Sequence, residues 1–296
     1  MERGIEVVSS EKHRVIHIFG ASGSGTSSLA KAICDKTGFY LMEVDNYFWM
    51  PTDPPFTNRR SSIESTELMQ KDIDNFKNVV IAGSATGWGD FLIPQTSLAI
   101  RLVVPRDIRI DRIKRREFER FGDRIYPGGD MYNQHQAFLE WTSKYDEGGL
   151  DIRSKAQHDE WQRKLACDLL ILDGTKAINE LLDEVLYKVI IGSTVRGTID
   201  RPLGSAHPDF PEMIYPINYG YVNGVFADDG EEQDVYVLGT DKPLERFEGK
   251  VIAIYHRTND NEDKWVVALG ERDYTNEEIL ESIIFQEKYY EGRLIR

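Results

Sequence analysis

Gly20-Ala21-Ser22-Gly23-Ser24-Gly25-Thr26-Ser27-Ser28 follows the apolar run Val15 to Phe19 and opens a segment of helical periodicity. Its spacing is that of the phosphate-gripping loop G-x-x-x-x-G-K-[ST], whose backbone N–H groups converge on an anion at a helix N-terminus. Thr26 stands where that pattern has its lysine. Gly20, Ser22, Gly23, Ser24, Gly25, Thr26, Ser27 and Ser28 are therefore expected to bind nucleotide. Ser27 holds the position whose hydroxyl ordinarily ligates magnesium, and the hydroxyls of Ser22, Ser24 and Thr26 add hydrogen bonds without charge. The missing ammonium would have reached the outermost phosphates, so phosphate binding is announced more clearly than phosphoryl transfer.

Outward from this loop, short apolar runs alternate with longer amphipathic segments, the pattern of a parallel sheet with helices on both faces. The expected strands are Val15 to Phe19, Tyr40 to Val44, Val79 to Gly83, Leu98 to Val104 and Leu169 to Leu172. The expected helices are Ser27 to Thr37, Ser65 to Lys77, Arg106 to Phe121 and Ala177 to Val189. After Val189 the texture becomes β-branched and aromatic, broken by glycine, proline and aspartate turns, with one helix at the end, Asn276 to Tyr290. The expected domains are 1–188 and 189–296, packed closely because no flexible linker separates them.

The 296 residues carry a formal charge of -14, which argues against nucleic acid or an anionic membrane as the main partner. Residues 189–296 hold 11 Lys+Arg against 21 Asp+Glu, so cation binding is expected there. Cys34 and Cys167 lack metal-ligand spacing and read as reduced thiols, which with the absence of an N-terminal apolar stretch or a long apolar run predicts a cytoplasmic protein.

The helix around Arg109, Arg112, Arg115, Arg116, Arg120 and Arg124 gathers guanidinium groups on neighbouring faces that could replace the absent lysine, with Arg116 and Arg120 the chosen pair. A solvated helix paired with Glu117 and Glu119 is the open alternative. Together these residues resemble the small-molecule and nucleoside monophosphate kinases of the P-loop class, including the shikimate-kinase-like and adenylate-kinase-like branches. The resemblance implies that Asp45, after Glu43-Val44, touches magnesium and an acceptor hydroxyl. It also implies that Tyr47 to Asn58 is an acceptor flap and that the arginine helix is a lid. Ser84, with Gly87-Trp88-Gly89-Asp90, falls on the acceptor side, and Asp173-Gly174-Thr175 falls where such kinases bind the base.

In the second half, Tyr215 to Leu238 runs from aromatic strand residues into a turn with five carboxylates. Asp229, Glu231 and Asp234 are spaced to aim oxygen ligands at magnesium, and Asp260, Glu262 and Asp263 before Lys264 allow a second metal. A solvated acidic hairpin tip is the open alternative. Val195 to Arg293 resembles a soluble magnesium-dependent inorganic pyrophosphatase, a small and mainly β barrel with a C-terminal helix. Asp229-Gly230-Glu231-Glu232-Gln233-Asp234-Val235 matches the family signature with Glu231 for its middle aspartate and Glu232 for its proline.

That resemblance implies metal binding by Asp229, Glu231, Asp234, Asp260 and Asp263. It implies catalytic roles for Asp234, Arg201, Tyr219, Lys264 and Tyr289.

The expected protein hydrolyses pyrophosphate with Mg2+ in its second domain and binds ATP or another nucleoside triphosphate in its first, where a small acceptor is phosphorylated. Pyrophosphate and nucleotide are the expected partners, with a homo-oligomer left open. Two rivals stand beside this reading: a kinase whose barrel senses phosphate, and a non-catalytic nucleotide-binding protein.

Overall fold

The computed structural model describes residues 13–260 and 262–296; residues 1–12, on which the expectation of no leader segment rests, lie outside them. Five parallel strands, β1 (Arg14–Gly20), β2 (Tyr40–Glu43), β3 (Asn78–Ala82), β4 (Leu98–Val103) and β5 (Asp168–Asp173), form a sheet in the order β2-β3-β1-β4-β5. Val15, Ile16, Ile18 and Phe19 of central β1 are fully buried, as a strand covered on both faces demands.

On one face Ile16 and Ile18 meet Leu29 and Ile33 of α1 (Thr26–Thr37) and Val185 of α7 (Ile178–Ile190). On the other, Val15 and Phe19 meet Met69 and Ile73 of α3 (Ser62–Asn75).

The expected second strand gives up its last residue, because Val44 opens the short helix α2 (Val44–Phe48). The arginine-rich segment expected to be a lid folds as α4 (Arg106–Phe121). Two further helices were not legible in the sequence, α5 (Tyr132–Ser143) and α6 (Lys155–Arg163). The residues they bury include His135 and Thr142 in α5 and His158 and Trp161 in α6, so no apolar stripe announces them.

The second half closes on itself. β6 (Thr194–Arg201), β7 (Asn218–Phe226), β8 (Glu232–Leu238), β9 (Arg246–Arg257) and β10 (Lys264–Ala268) run in the order β10-β8-β7-β6-β9, and a β9–β10 pairing completes a five-stranded barrel. β11 (Gly292–Ile295) adds to β9. A Cβ on Gly220 would come within 2.0 Å of the Thr198 carbonyl oxygen, so only glycine lets β6 and β7 approach there. Helix α8 (Asn276–Glu287), opened by a reciprocal Thr275–Glu278 capping box, sets Ile279 and Ile283 into the aromatic core beside Tyr236 and Tyr255.

The two halves touch along several elements. Leu181, Val185 and Val189 of α7 belong to the sheet core, whereas Ile190, Leu186 and Tyr187 pack into the barrel core. Asn78 at the head of β3 exchanges hydrogen bonds with the Thr194 backbone at 2.7 and 3.2 Å. Lys36 near the end of α1 pairs with Asp228 of the barrel's acidic turn. Cys34 and Cys167 are free thiols, and among the described residues no helix is long and apolar enough to cross a membrane.

Candidate functional site

The glycine-rich loop joins β1 to α1, with Gly23 and Gly25 at φ +81° and +99°, left-handed values that favour glycine. A Cβ on Gly23 would lie 2.6 Å from the Arg109 carbonyl oxygen, so helix α4 rests directly on the loop. Gly25 caps α1 without any side-chain cap bond, which leaves the first helical N–H groups open at the loop. Above them opens a cleft of about 660 Å³, lined on the loop side by Gly20, Ser22, Gly23, Thr26 and Ser27. Ser24, Gly25 and Ser28 do not line it, and Ser24 is buried with its hydroxyl unpartnered.

The arginines of α4 separate by task. Arg116 and Arg120 line the cleft. Arg109 is fully buried, donating to the Val104 carbonyl at 3.0 Å and to Asp146. Arg112 donates to the Gly174 carbonyl at 2.8 Å, and Arg115 faces Glu119 on the surface. Arg116 is shared with buried Glu117 at 2.8 Å, while Arg120 has no ion pair among the described residues. The solvated-helix alternative thus describes Arg115 with Glu119 and, in part, Arg116 with Glu117, whereas Arg109 and Arg112 are tied inward.

Asp45 and Ser84 also line the cleft. Ser84 is buried, its hydroxyl 2.9 Å from His158 Nε2 and 2.9 Å from the Thr86 hydroxyl. Burial holds the His158 pKa down at about 3 and that of His17 at about 4, so both rings are neutral near pH 7. Asp173 closes its own turn by accepting from the Thr175 N–H and hydroxyl at 2.9 and 2.7 Å.

The barrel carries a second polar centre. Lys264, almost wholly buried, donates to both Asp234 and Glu262, and Tyr219 donates to Asp234 as well. The Glu262 carboxyl is raised by burial and lies within hydrogen-bonding reach of Asp229. Asp229 is held below the usual carboxylate range by the Glu231 N–H, which donates to it at 2.9 Å. Asp200 is raised by burial, and its neighbour Arg201 donates to it at 2.7 Å while keeping a buried, unpartnered Nε–H.

Three sequence expectations are corrected here. Asp260 and Asp263 do not join Lys264. Along an extended chain residues 262 and 264 share a face and 263 takes the other, so Asp263 points to Tyr187 and His256 at 2.7 and 2.8 Å. Asp260 instead pairs with buried Arg257 at 2.8 Å, which also holds Glu287 through two bonds of 2.8 Å. Tyr289 is 64% exposed, past the end of α8, with the Lys288 ammonium 4.9 Å from its ring centre. Glu231 is exposed and touches the centre only through its backbone.

Of the acidic group Asp260, Glu262 and Asp263 that the spacing singles out, it is Glu262, left out of the metal set that the resemblance implies, that meets Lys264, as its i, i+2 relation to the lysine allows. In the cleft, Arg153 reaches in from the loop before α6 and has no sequence signature.

No group of three or more His, Cys, Asp or Glu among the described residues is gathered to hold a metal ion. Magnesium, however, commonly binds through one or two carboxylates together with substrate phosphates rather than in an all-protein cage. The Asp229–Glu262 contact, two hard oxygen donors of like charge, fits that mode.

A parallel P-loop sheet of kinase-like topology joined to a pyrophosphatase-like barrel is the class that the fold and these two centres define. The inorganic pyrophosphatase family model matches residues 193–284. The chain belongs to the family of the Bacillus subtilis protein described as uncharacterized protein YqaC, to which it is 39% identical over 171 residues, 58% of this chain and 94% of that one. An inorganic pyrophosphatase of Saccharolobus solfataricus is 31% identical over 102 residues, 32% of this chain and 58% of that protein. A cytidylate kinase of Archaeoglobus fulgidus is 26% identical over 117 residues, 34% of this chain and 61% of that protein. The chain thus spans about three fifths of the length of those two enzymes.

Proposed function

We propose that this protein carries out phosphate chemistry at two centres, hydrolysing pyrophosphate at the barrel and binding a nucleoside triphosphate for transfer to a small acceptor in the P-loop cleft. The observation that carries the hydrolase reading is the convergence of Asp234, Tyr219, Lys264 and Glu262 on one face of the barrel. Magnesium, held by Asp229 and Glu262 with Asp234 beside them, would neutralise charge on the bound pyrophosphate and acidify a water.

Asp234, oriented by the Tyr219 hydroxyl, accepts the proton of the attacking water. Lys264 and Arg201 hold the phosphate oxygens, and the free Nε–H of Arg201 supplies a donor with no competing partner. Phosphate release from pyrophosphate with Mg2+ tests the reading. Release that Asp234→Asn reduces at least about a hundred-fold supports it; absence of release from the wild-type protein overturns it.

In the cleft, the loop N–H groups receive the triphosphate, and Arg116 and Arg120 supply the positive charge that Thr26 lacks. Asp45 accepts the acceptor hydroxyl proton. A second reading, in which the barrel reports phosphate to the kinase half, is favoured by α1. Its N-terminus bears the loop and its C-terminal turn holds Lys36 on Asp228, one residue before Asp229.

A further inference from the structure

The P-loop cleft has aromatic walls as well as its glycine-rich loop. Those walls include Phe48, Trp49, Phe56, Trp88, Phe138 and Trp141, more planar surface than a small hydroxylated acceptor needs. These rings are prearranged: Phe48 meets Trp49 edge to face at 4.9 Å, Trp49 meets Phe56 at 6.2 Å, and Phe138 stacks with Trp141 at 6.1 Å.

Two polar groups in the same wall have no hydrogen-bond partner, the Trp88 Nε1–H and His135 Nδ1, and His135 is more than nine-tenths buried. Such orphans are rare in a finished wall and mark places where a ligand completes the bonding.

Arg153 adds the charge. Its guanidinium lies 5.3 Å from the Trp141 ring centre, and among the described residues no carboxylate forms an ion pair with it. Burial lowers its pKa, and nearby Asp45 opposes that effect. A half-buried arginine braced on an indole and left without a paired carboxylate is prepared for an anion that arrives with the ligand.

The donor's base does not account for these rings. Asp173, Gly174 and Thr175, the segment expected to hold the base, do not line the cleft. The aromatic walls come instead from residues 48–56, from Trp88 and from α5, around Asp45.

We propose that the aromatic part of the cleft is the acceptor site, that it selects a planar aromatic compound bearing an anionic group, and that Arg153 anchors this group as a specificity-determining residue. The inference rests on reading the cleft as a phosphoryl-transfer site. Trp49, Trp88 and Trp141 line the walls, so binding there reads directly as quenching of tryptophan fluorescence.

The experiment titrates the full-length protein with 4-hydroxybenzoate, with CMP, with uncharged cytidine and with aliphatic gluconate, and measures MgATP affinity in parallel. Saturable quenching by at least one aromatic anion, about ten-fold tighter than by cytidine or gluconate, is expected. CMP as the tighter anion assigns the charge to phosphate, and 4-hydroxybenzoate assigns it to carboxylate. Arg153→Gln is expected to weaken the aromatic anion about ten-fold or more without changing cytidine or MgATP affinity, and Arg153→Lys to restore part of the loss.

Gluconate binding as tightly as the aromatic anions, no saturation by either aromatic anion, or an unchanged affinity in Arg153→Gln overturns the proposal. Failure of the wild-type protein to bind MgATP overturns the phosphoryl-transfer reading instead.

Discussion

Lys264 reaches across from β10 to the Asp234 carboxylate on β8 while almost fully buried. The two strands run parallel, with Trp265 registered against Val235, so the lysine and the aspartate are set side by side by the barrel closure itself. Removing the ammonium leaves Asp234 and Glu262 facing each other without a counter-charge. Lys264→Met should therefore abolish pyrophosphate hydrolysis and destabilise the fold by about 3 kcal/mol, as breaking a buried pair from one side does. Denaturant unfolding should show part of that loss recovered when Asp234→Asn and Glu262→Gln are added, because the stranded charges are then gone.

Magnesium affinity should depend on the substrate. Asp229 and Glu262 lie within hydrogen-bonding reach of each other, but no group of three or more potential ligands is gathered among the described residues, so calorimetric titration of the protein with Mg2+ alone should show weak binding. In the presence of the non-hydrolysable analogue imidodiphosphate the same titration should tighten by about ten-fold or more. Glu262→Gln should remove that gain, whereas Asp263→Asn, on the opposite face, should leave it intact.

The charge of Arg120 should be interchangeable with the lysine that the loop lacks. Arg120→Ala is expected to weaken MgATP binding about ten-fold, and Thr26→Lys added to it should recover most of the loss. In the wild-type background Thr26→Lys should change affinity little, since Arg116 and Arg120 already face the cleft. A large gain from Thr26→Lys alone would show that the α4 arginines do not serve the phosphates.

Acid should loosen the sheet domain well before its carboxylates protonate. His17 and His158 titrate at about 4 and 3 in the folded chain because burial disfavours the charged rings, against about 6.5 when unfolded. Between those values the unfolded chain binds more protons, so stability is full above about pH 6.5 and falls as the pH drops, by up to about 1.4 kcal/mol per pH unit for each ring. Denaturant unfolding at pH 7 and pH 5 should reveal the loss, and His158→Gln should reduce the slope by about half.

Much of this fold was written locally in the chain. The apolar β1 and the Gly20 to Ser28 loop specify a strand, turn and helix at short range, and the apolar runs of β3 and β4 repeat the theme. The glycine and aromatic pattern after Val189 separates the barrel from it just as clearly. What resisted reading depends on direction rather than composition. Seven arginines in and after α4 look alike in the sequence, yet only the turn of the helix decides that Arg116 and Arg120 face the cleft while Arg109 goes inward to Asp146. Similarly, Asp260, Glu262 and Asp263 are three acids in four positions, and the pleat alone turns Glu262 toward Lys264 and Asp263 toward His256. Arg153 meets the cleft only through the tertiary placement of its loop against Trp141 of α5.

Helix α7 gives one stripe of side chains to the sheet and another to the barrel, with Val185 and Val189 on one side and Leu186 and Ile190 on the other. A wall shared in this way cannot stay folded for one tenant after the other has left. Loss of either half would strip α7 of one of its two dry faces, so heating should produce a single calorimetric peak rather than two, and either half expressed alone should be aggregation-prone. Selection acting on the stability of one half would then act on the other as well, since both depend on the same thirteen-residue helix.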